Sequence, residues 1–144
     1  MRQTICSVGD TIFHDGFPAG YDLNPIRNVA ARADVKLFNL ENVVSDRDIF
    51  GSSYCGGMWL LGREDTLDDT LRFGFNGCSF ANNHTMDFAY DGLFDTLKAV
   101  EKKGIALADS EECRVVYAYL CDRNEQFGTQ IILNDRVIEV KMND

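Results

Sequence analysis

Three short apolar runs in this chain each stop at polar side chains that can hold a cation or move a proton. They are Ile5-Cys6-Ser7-Val8-Gly9-Asp10, Val35-Lys36-Leu37-Phe38-Asn39-Leu40-Glu41 and Ser79-Phe80-Ala81-Asn82-Asn83-His84. Between them lie segments whose apolar residues recur at helical spacing. Strands alternating with helices predict right-handed crossovers and a parallel sheet. In such a sheet the carboxyl ends of the strands share one edge, where open sheets hold their ligands. The expected fold class is therefore α/β, a parallel-sheet β-α-β-α-β-α-β core with a short antiparallel addition at its C-terminal end.

Residues 3–8 read as a strand closed by Gly9-Asp10, and a loop rich in Gly, Pro and Asp follows to Asp22. Asn24-Pro25 reads as a helix start, with Asn as N-cap and Pro at the first helical position. Ile26, Val29 and Ala30 give that helix an apolar stripe. Residues 35–38 form the second strand. Residues 42–62 read mostly as a long loop, within which 58–61 is a short edge strand or a packed loop. Residues 63–73 are helical, with Leu67 and Leu71 on one face and Gly74 as the stop.

Residues 75–81 form the third strand. Asp91 caps a helix in which Leu93, Leu97 and Val100 point inward, and Lys98, Lys102 and Lys103 suit the dipole of its last turns. Gly104 ends it before a fourth strand, 105–107. Farther on, 114–120 alternates like a strand, and 130–133 with 136–141 predicts a hairpin across Asn134-Asp135. One domain spanning 1–144 is expected, with a core over 1–109 and a divergent or truncated set of strands over 110–144.

A formal net charge of -9 argues against a nonspecific nucleic-acid binder, which needs Lys and Arg to neutralise phosphates. No apolar run approaches the ~20 residues of a membrane span. The start carries no basic segment followed by a long apolar one, so the chain as given is expected to be cytoplasmic. Cys6, Cys55, Cys78, Cys113 and Cys121 have no zinc-like spacing and read as reduced, mostly buried thiols.

The polar strand ends carry the candidate chemistry. Asp10 can coordinate a divalent metal, although a turn Asp bonding its own backbone is the plainer reading of that residue alone. Asn39 and Glu41 flank Leu40, so period-two geometry sends both side chains the same way. Asn82, Asn83 and His84 place three hydrogen-bonding side chains in a row. Asp87, three residues after His84, can orient the imidazole. His14 lies in the loop after Asp10, where a solvent-facing role is the simpler one. Carboxylates, amide and imidazole together suit Mg²⁺, Mn²⁺, Fe or Zn²⁺ without deciding among them.

These segments, with Ala33-Asp34 before the second, Gly74-Phe75-Asn76-Gly77-Cys78 before the third and Thr85-Met86-Asp87 after it, resemble the bacterial capsule-synthesis CapA family over about residues 4–109. Asp91-Gly92-Leu93, Thr96-Leu97 and Gly104-Ile105 extend the match. That family is linked to poly-γ-glutamate capsule production, is often exported or membrane-associated, and is similar in fold to calcineurin-like metallophosphoesterases. The resemblance implies Asp10, Glu41 and Asn83 as metal ligands, one or two divalent ions, and His84 beside a scissile phosphate. Asp87 would join His84 in catalysis, with Asn39 and Asn82 in support.

It also implies a small-molecule phosphoester or an anionic polymer as the partner. Departures are visible: no His stands two places after Asp10, and the chain holds only His14 and His84. The ligand set implied is thus incomplete. Three readings stay open: a metal-dependent phosphoester hydrolase, a noncatalytic capsule-biosynthesis or polymer-binding component, and a truncated fragment that forms a homodimer through its sheet edge.

Overall fold

A computed structural model describes residues 4–53 and 57–107, together with the backbone of two strands, 129–133 and 136–140. Two compact units are distinguished, Met1–Leu107 and Ala108–Asp144. The first contains a four-stranded parallel sheet ordered β1 (Ile5–Thr11), β2 (Val35–Leu40), β5 (Gly77–Ser79), β6 (Ala106–Leu107). The α/β class and the parallel core expected from the sequence are both present. Three helices connect these strands: α1 (Asn24–Ala30), α2 (Leu67–Phe73) and α3 (Ala89–Lys102). A small parallel pair, β3 (Val43–Val44) and β4 (Leu61–Gly62), is inserted between β2 and α2. In the second unit, β7 (Thr129–Leu133) and β8 (Arg136–Val140) pair antiparallel, which agrees with the expected hairpin strands. The strand expected over 114–120 lies outside the described residues.

The strand order follows the chain order, and the buried residues of all three helices join one cluster. Ala30, Leu67, Phe73, Ala99 and Val100 pack with Phe38, Leu40 and Cys78. The helices therefore cover one face of the sheet. Residues of the other phase, Ile5 and Val35, are paired in register and exposed.

Local chemistry sets the element ends. Gly74 takes φ 94° and receives the end of α2, its N–H donating to the Leu71 and Thr70 carbonyls, because only glycine adopts that region without steric cost. In α3, Gly92 lies against β3: a Cβ there would stand 2.8 Å from Val43 Cγ1 and 2.6 Å from Phe88 Cβ. Thr96, one turn on, donates its hydroxyl to the Gly92 carbonyl and accepts from the Val44 N–H at 2.8 Å. These two contacts fix the inserted strand pair onto α3.

Several expectations are corrected. β1 does not close at Gly9-Asp10 but runs through both to Thr11. β2 extends to Leu40, placing Asn39 inside the strand. Helix α1 begins at Asn24 itself and has no side-chain cap. Of its apolar stripe only Ala30 is buried, while Ile26 and Val29 are exposed. In α2, Leu67 is buried and Leu71 is exposed, and the inward positions are completed by Asp69, Thr70 and Phe73. Asp91 lies in the first turn of α3, after Phe88 as N-cap, and pairs with Arg47. Cys6 and Cys78 are free thiols, and burial raises the Cys78 thiol to about 12, which keeps it protonated and inert.

Candidate functional site

The three strand ends converge at the carboxyl edge of the sheet. The decisive local feature is a register shift in β1 between Ser7 and Asp10. Ser7 pairs with Leu37, and Asp10 pairs with Asn39. Three steps along β1 thus match two along β2. A regular ladder would set Gly9 opposite Asn39 and turn Asp10 to the other face of the sheet. The extra residue reverses that, as β-bulges do when they re-aim a side chain.

Asp10 consequently meets Asn39, whose Nδ2 donates to Asp10 Oδ1 at 2.9 Å and also to Glu41 Oε2. The amide cannot turn over freely, because its Oδ1 accepts from Asn82 Nδ2 at 3.2 Å. Asn82 Nδ2 also donates to the Leu40 carbonyl at 2.7 Å, and its Oδ1 accepts from the His84 N–H at 3.0 Å. One amide thus ties β2 to the turn after β5, and the other bridges two carboxylates.

His84 is buried and held by Asp87, which is wholly buried. Its Nδ1–H donates to Asp87 Oδ2 at 2.8 Å, and the same oxygen accepts from the Leu60 N–H at 2.8 Å. Binding Nδ1 this way leaves Nε2 toward Glu41, 3.9 Å from Oε1. Glu41 is itself only 7% exposed. Burial, and then the negative charge of Asp10, push its carboxyl above the usual range, opposed by His84 and by the Asn39 bond.

Among the residues singled out from the sequence, Asp10, Asn39, Glu41, Asn82, His84 and Asp87 thus form one hydrogen-bonded and electrostatic chain. Asn83 stands apart as an exposed residue of the turn. His14 is engaged elsewhere, its Nδ1 donating to the Leu61 carbonyl at 2.9 Å. Sequence reasoning missed Asn42, which is almost completely buried. Its Oδ1 accepts from the Phe13 N–H at 2.8 Å and its Nδ2 donates to the Val43 carbonyl at 2.9 Å. It therefore clamps the loop after β1 beside Glu41. A polar residue wedged between Glu41 and the Val43-Val44 run was the available signal.

The donor set includes carboxylates, amides and an imidazole, which is chemistry a divalent metal accepts. Asn39 Nδ2 donates to both Asp10 and Glu41, and Asn83 is exposed. Among the described residues no group of three or more His, Cys, Asp or Glu side chains is placed to hold an ion.

Comparison with known proteins bears on this geometry. The family of the bacterial capsule synthesis protein PGA_cap matches residues 4–112, which span the parallel sheet and every member of the polar cluster. The chain belongs to this family. Two relatives from Sinorhizobium fredii (strain NBRC 101917 / NGR234), the uncharacterized proteins y4uA and y4sH, are each 28% identical over 116 residues. The match covers 77% of this PGA_cap chain and 25% of each relative, so the chain spans about a quarter of their length. No helix among the described residues is long and apolar enough to cross a membrane.

Proposed function

We propose that this PGA_cap chain acts in capsule biosynthesis as a noncatalytic, polymer-binding component, its ligand meeting the Asp10–Asn39–Glu41–His84 edge. The observation that carries this reading is the position of the Asn39 amide. It donates to both carboxylates at once, and so engages by hydrogen bonding oxygens that a hydrolytic centre would offer to a cation. The acceptors on this edge suit N–H and O–H groups of a polymer backbone. An anionic polymer would approach through its amide hydrogens rather than through its charges, since Asp10 and Glu41 repel carboxylates.

The test is to incubate the purified chain with Mn²⁺ and the chromogenic substrates p-nitrophenyl phosphate and bis-p-nitrophenyl phosphate. Turnover equal to that of Glu41→Gln is expected. Metal-dependent turnover that disappears in Glu41→Gln would overturn the reading.

The β1 bulge favours a second reading, a metallophosphoesterase-like hydrolase, because it spends ladder regularity to bring Asp10 to Asn39. In that reading Asp10, Glu41 and Asn83 would hold the ion, with His84 and Asp87 serving the phosphate. It requires Asn39 to turn away from both carboxylates and ligands beyond those described here. Stoichiometric Mn²⁺ uptake by calorimetry, abolished by Asp10→Asn, would favour it.

A further inference from the structure

We infer that the cleft between α1, α2 and the loop leading into α1 is a binding site for a small organic oxyanion, a carboxylate or phosphate carried on a carbon chain. The cleft is open, has about 530 Å³ of accessible space and is walled by Tyr21, Asp22, Asn24, Arg27, Leu71 and Arg72. It lies on the helical side of the first unit and shares no residue with the Asp10–His84 edge.

Charge is the first reason. The chain carries 14 Lys and Arg against 23 Asp and Glu, yet two guanidinium groups line this single cleft. Arg47, Arg63 and Arg72 are each committed to a carboxylate, whereas Arg27 makes no ion pair among the described residues. Arg72 gives Nη1 to Asp69, which is buried and also accepts the Phe17 N–H at 2.7 Å. That pairing anchors Arg72 at the wall with its side chain still 44% exposed. Two guanidinium forks, one positioned and one free, are the arrangement that recognises planar or tetrahedral oxyanions.

Two apolar side chains within a mainly polar lining are the second reason. Leu71 belongs to α2 but is 37% exposed, and Tyr21 is 52% exposed with its ring packed on Phe17 at 4.9 Å. An aliphatic and an aromatic surface beside two cations fit a carbon chain bearing the anion better than a bare inorganic ion. Asp22 refines the class. Its Oδ1 accepts from the Asn24 N–H at 2.9 Å, and its charge at the cleft admits a ligand with an ammonium or hydroxyl near its anionic end.

The experiment is a ¹H–¹⁵N NMR titration of the 144-residue chain with glutarate, with inorganic phosphate, and with sodium chloride at matched ionic strength. Saturable shifts confined to residues 20–27 and 71–72 are expected with at least one oxyanion and not with chloride. Response to glutarate alone assigns a carboxylate site, and response to phosphate alone assigns a phosphate site. Arg27→Gln is expected to weaken binding at least tenfold without moving the melting temperature, because Arg27 is exposed and makes no ion pair among the described residues. Arg72→Gln is the second variant, read beside its melting curve because it also releases Asp69. Shifts reproduced by chloride, or binding unchanged in Arg27→Gln, would overturn the inference.

Discussion

At the scale of single residues, Glu41 shows how the polar edge trades stability for its arrangement. The carboxyl is buried beside Asp10, so its protonated form is favoured in the folded chain. A folded-state pKa above the ordinary value of 4.5 means the folded chain binds the proton more tightly than the unfolded one. Stability therefore falls as pH climbs from 4.5 to the raised value and is flat above it. Glu41→Gln keeps an acceptor for Asn39 and removes the charge. Its melting temperature should exceed that of the parent at pH 7, and the difference should vanish below pH 4.5. Thermal melts across that range check the sign, and an unchanged difference at low pH would refute the assignment to this carboxyl. Asp87 contributes through hydrogen bonds instead. It accepts from both His84 and the Leu60 N–H in a fully buried position, so Asp87→Ala should cost about 2–3 kcal/mol by stranding buried donors. Urea denaturation measures that loss.

At the scale of elements, the inserted β3–β4 pair depends on a backbone approach that only glycine permits. A Cβ on Gly62 would lie 2.1 Å from the Phe13 carbonyl oxygen and 2.6 Å from Asn42 Nδ2. Neither can yield cheaply, since Asn42 holds the Phe13 N–H and the Val43 carbonyl. Gly62→Ala should therefore destabilise by about 1–3 kcal/mol, as overpacking does. Gly57→Ala meets open space but takes a φ of 119°, so its penalty should be backbone strain alone. Comparing the two urea midpoints separates packing from conformation, and an unperturbed midpoint in Gly62→Ala would contradict the contact.

The parallel core was readable because Phe38, Leu40 and Cys78 interrupt helical periodicity with short β-type runs between glycine and polar stops. The convergence of Asn39, Glu41, Asn82 and His84 followed from those stops. The bulge was not readable: one extra residue in β1 leaves no mark on hydrophobic pattern, and Gly9 served equally well as a strand terminator. Leu71 and Val29 also misled, because helical spacing identifies an apolar face without saying whether protein or solvent lies against it. The buried Asn42, Asp69 and Thr96 were hidden because each also binds a backbone N–H 29–52 residues away.

At the scale of the whole molecule, the packed apolar cluster among the described residues is contained between Phe13 and Ile105, inside the unit that ends at Leu107. Its main-chain ladders close within the same stretch, with β6 pairing to β5 at Ala106 and Leu107. A chain that holds its sheet, three helices and their core in one contiguous stretch has what independent folding requires. Residues 1–107 alone are therefore expected to unfold cooperatively, with a melting temperature within a few degrees of the 144-residue chain. Their ¹H–¹⁵N spectrum should overlay that of the longer chain at Asn39, Asn82 and His84, because among the described residues the hydrogen bonds fixing them come from positions 10–87. A broad melt with collapsed amide dispersion would mean that the core cannot hold without residues 108–144. A sharp melt with shifts confined to β6 would locate the independent folding unit, and with it the whole polar edge, in the first 107 residues.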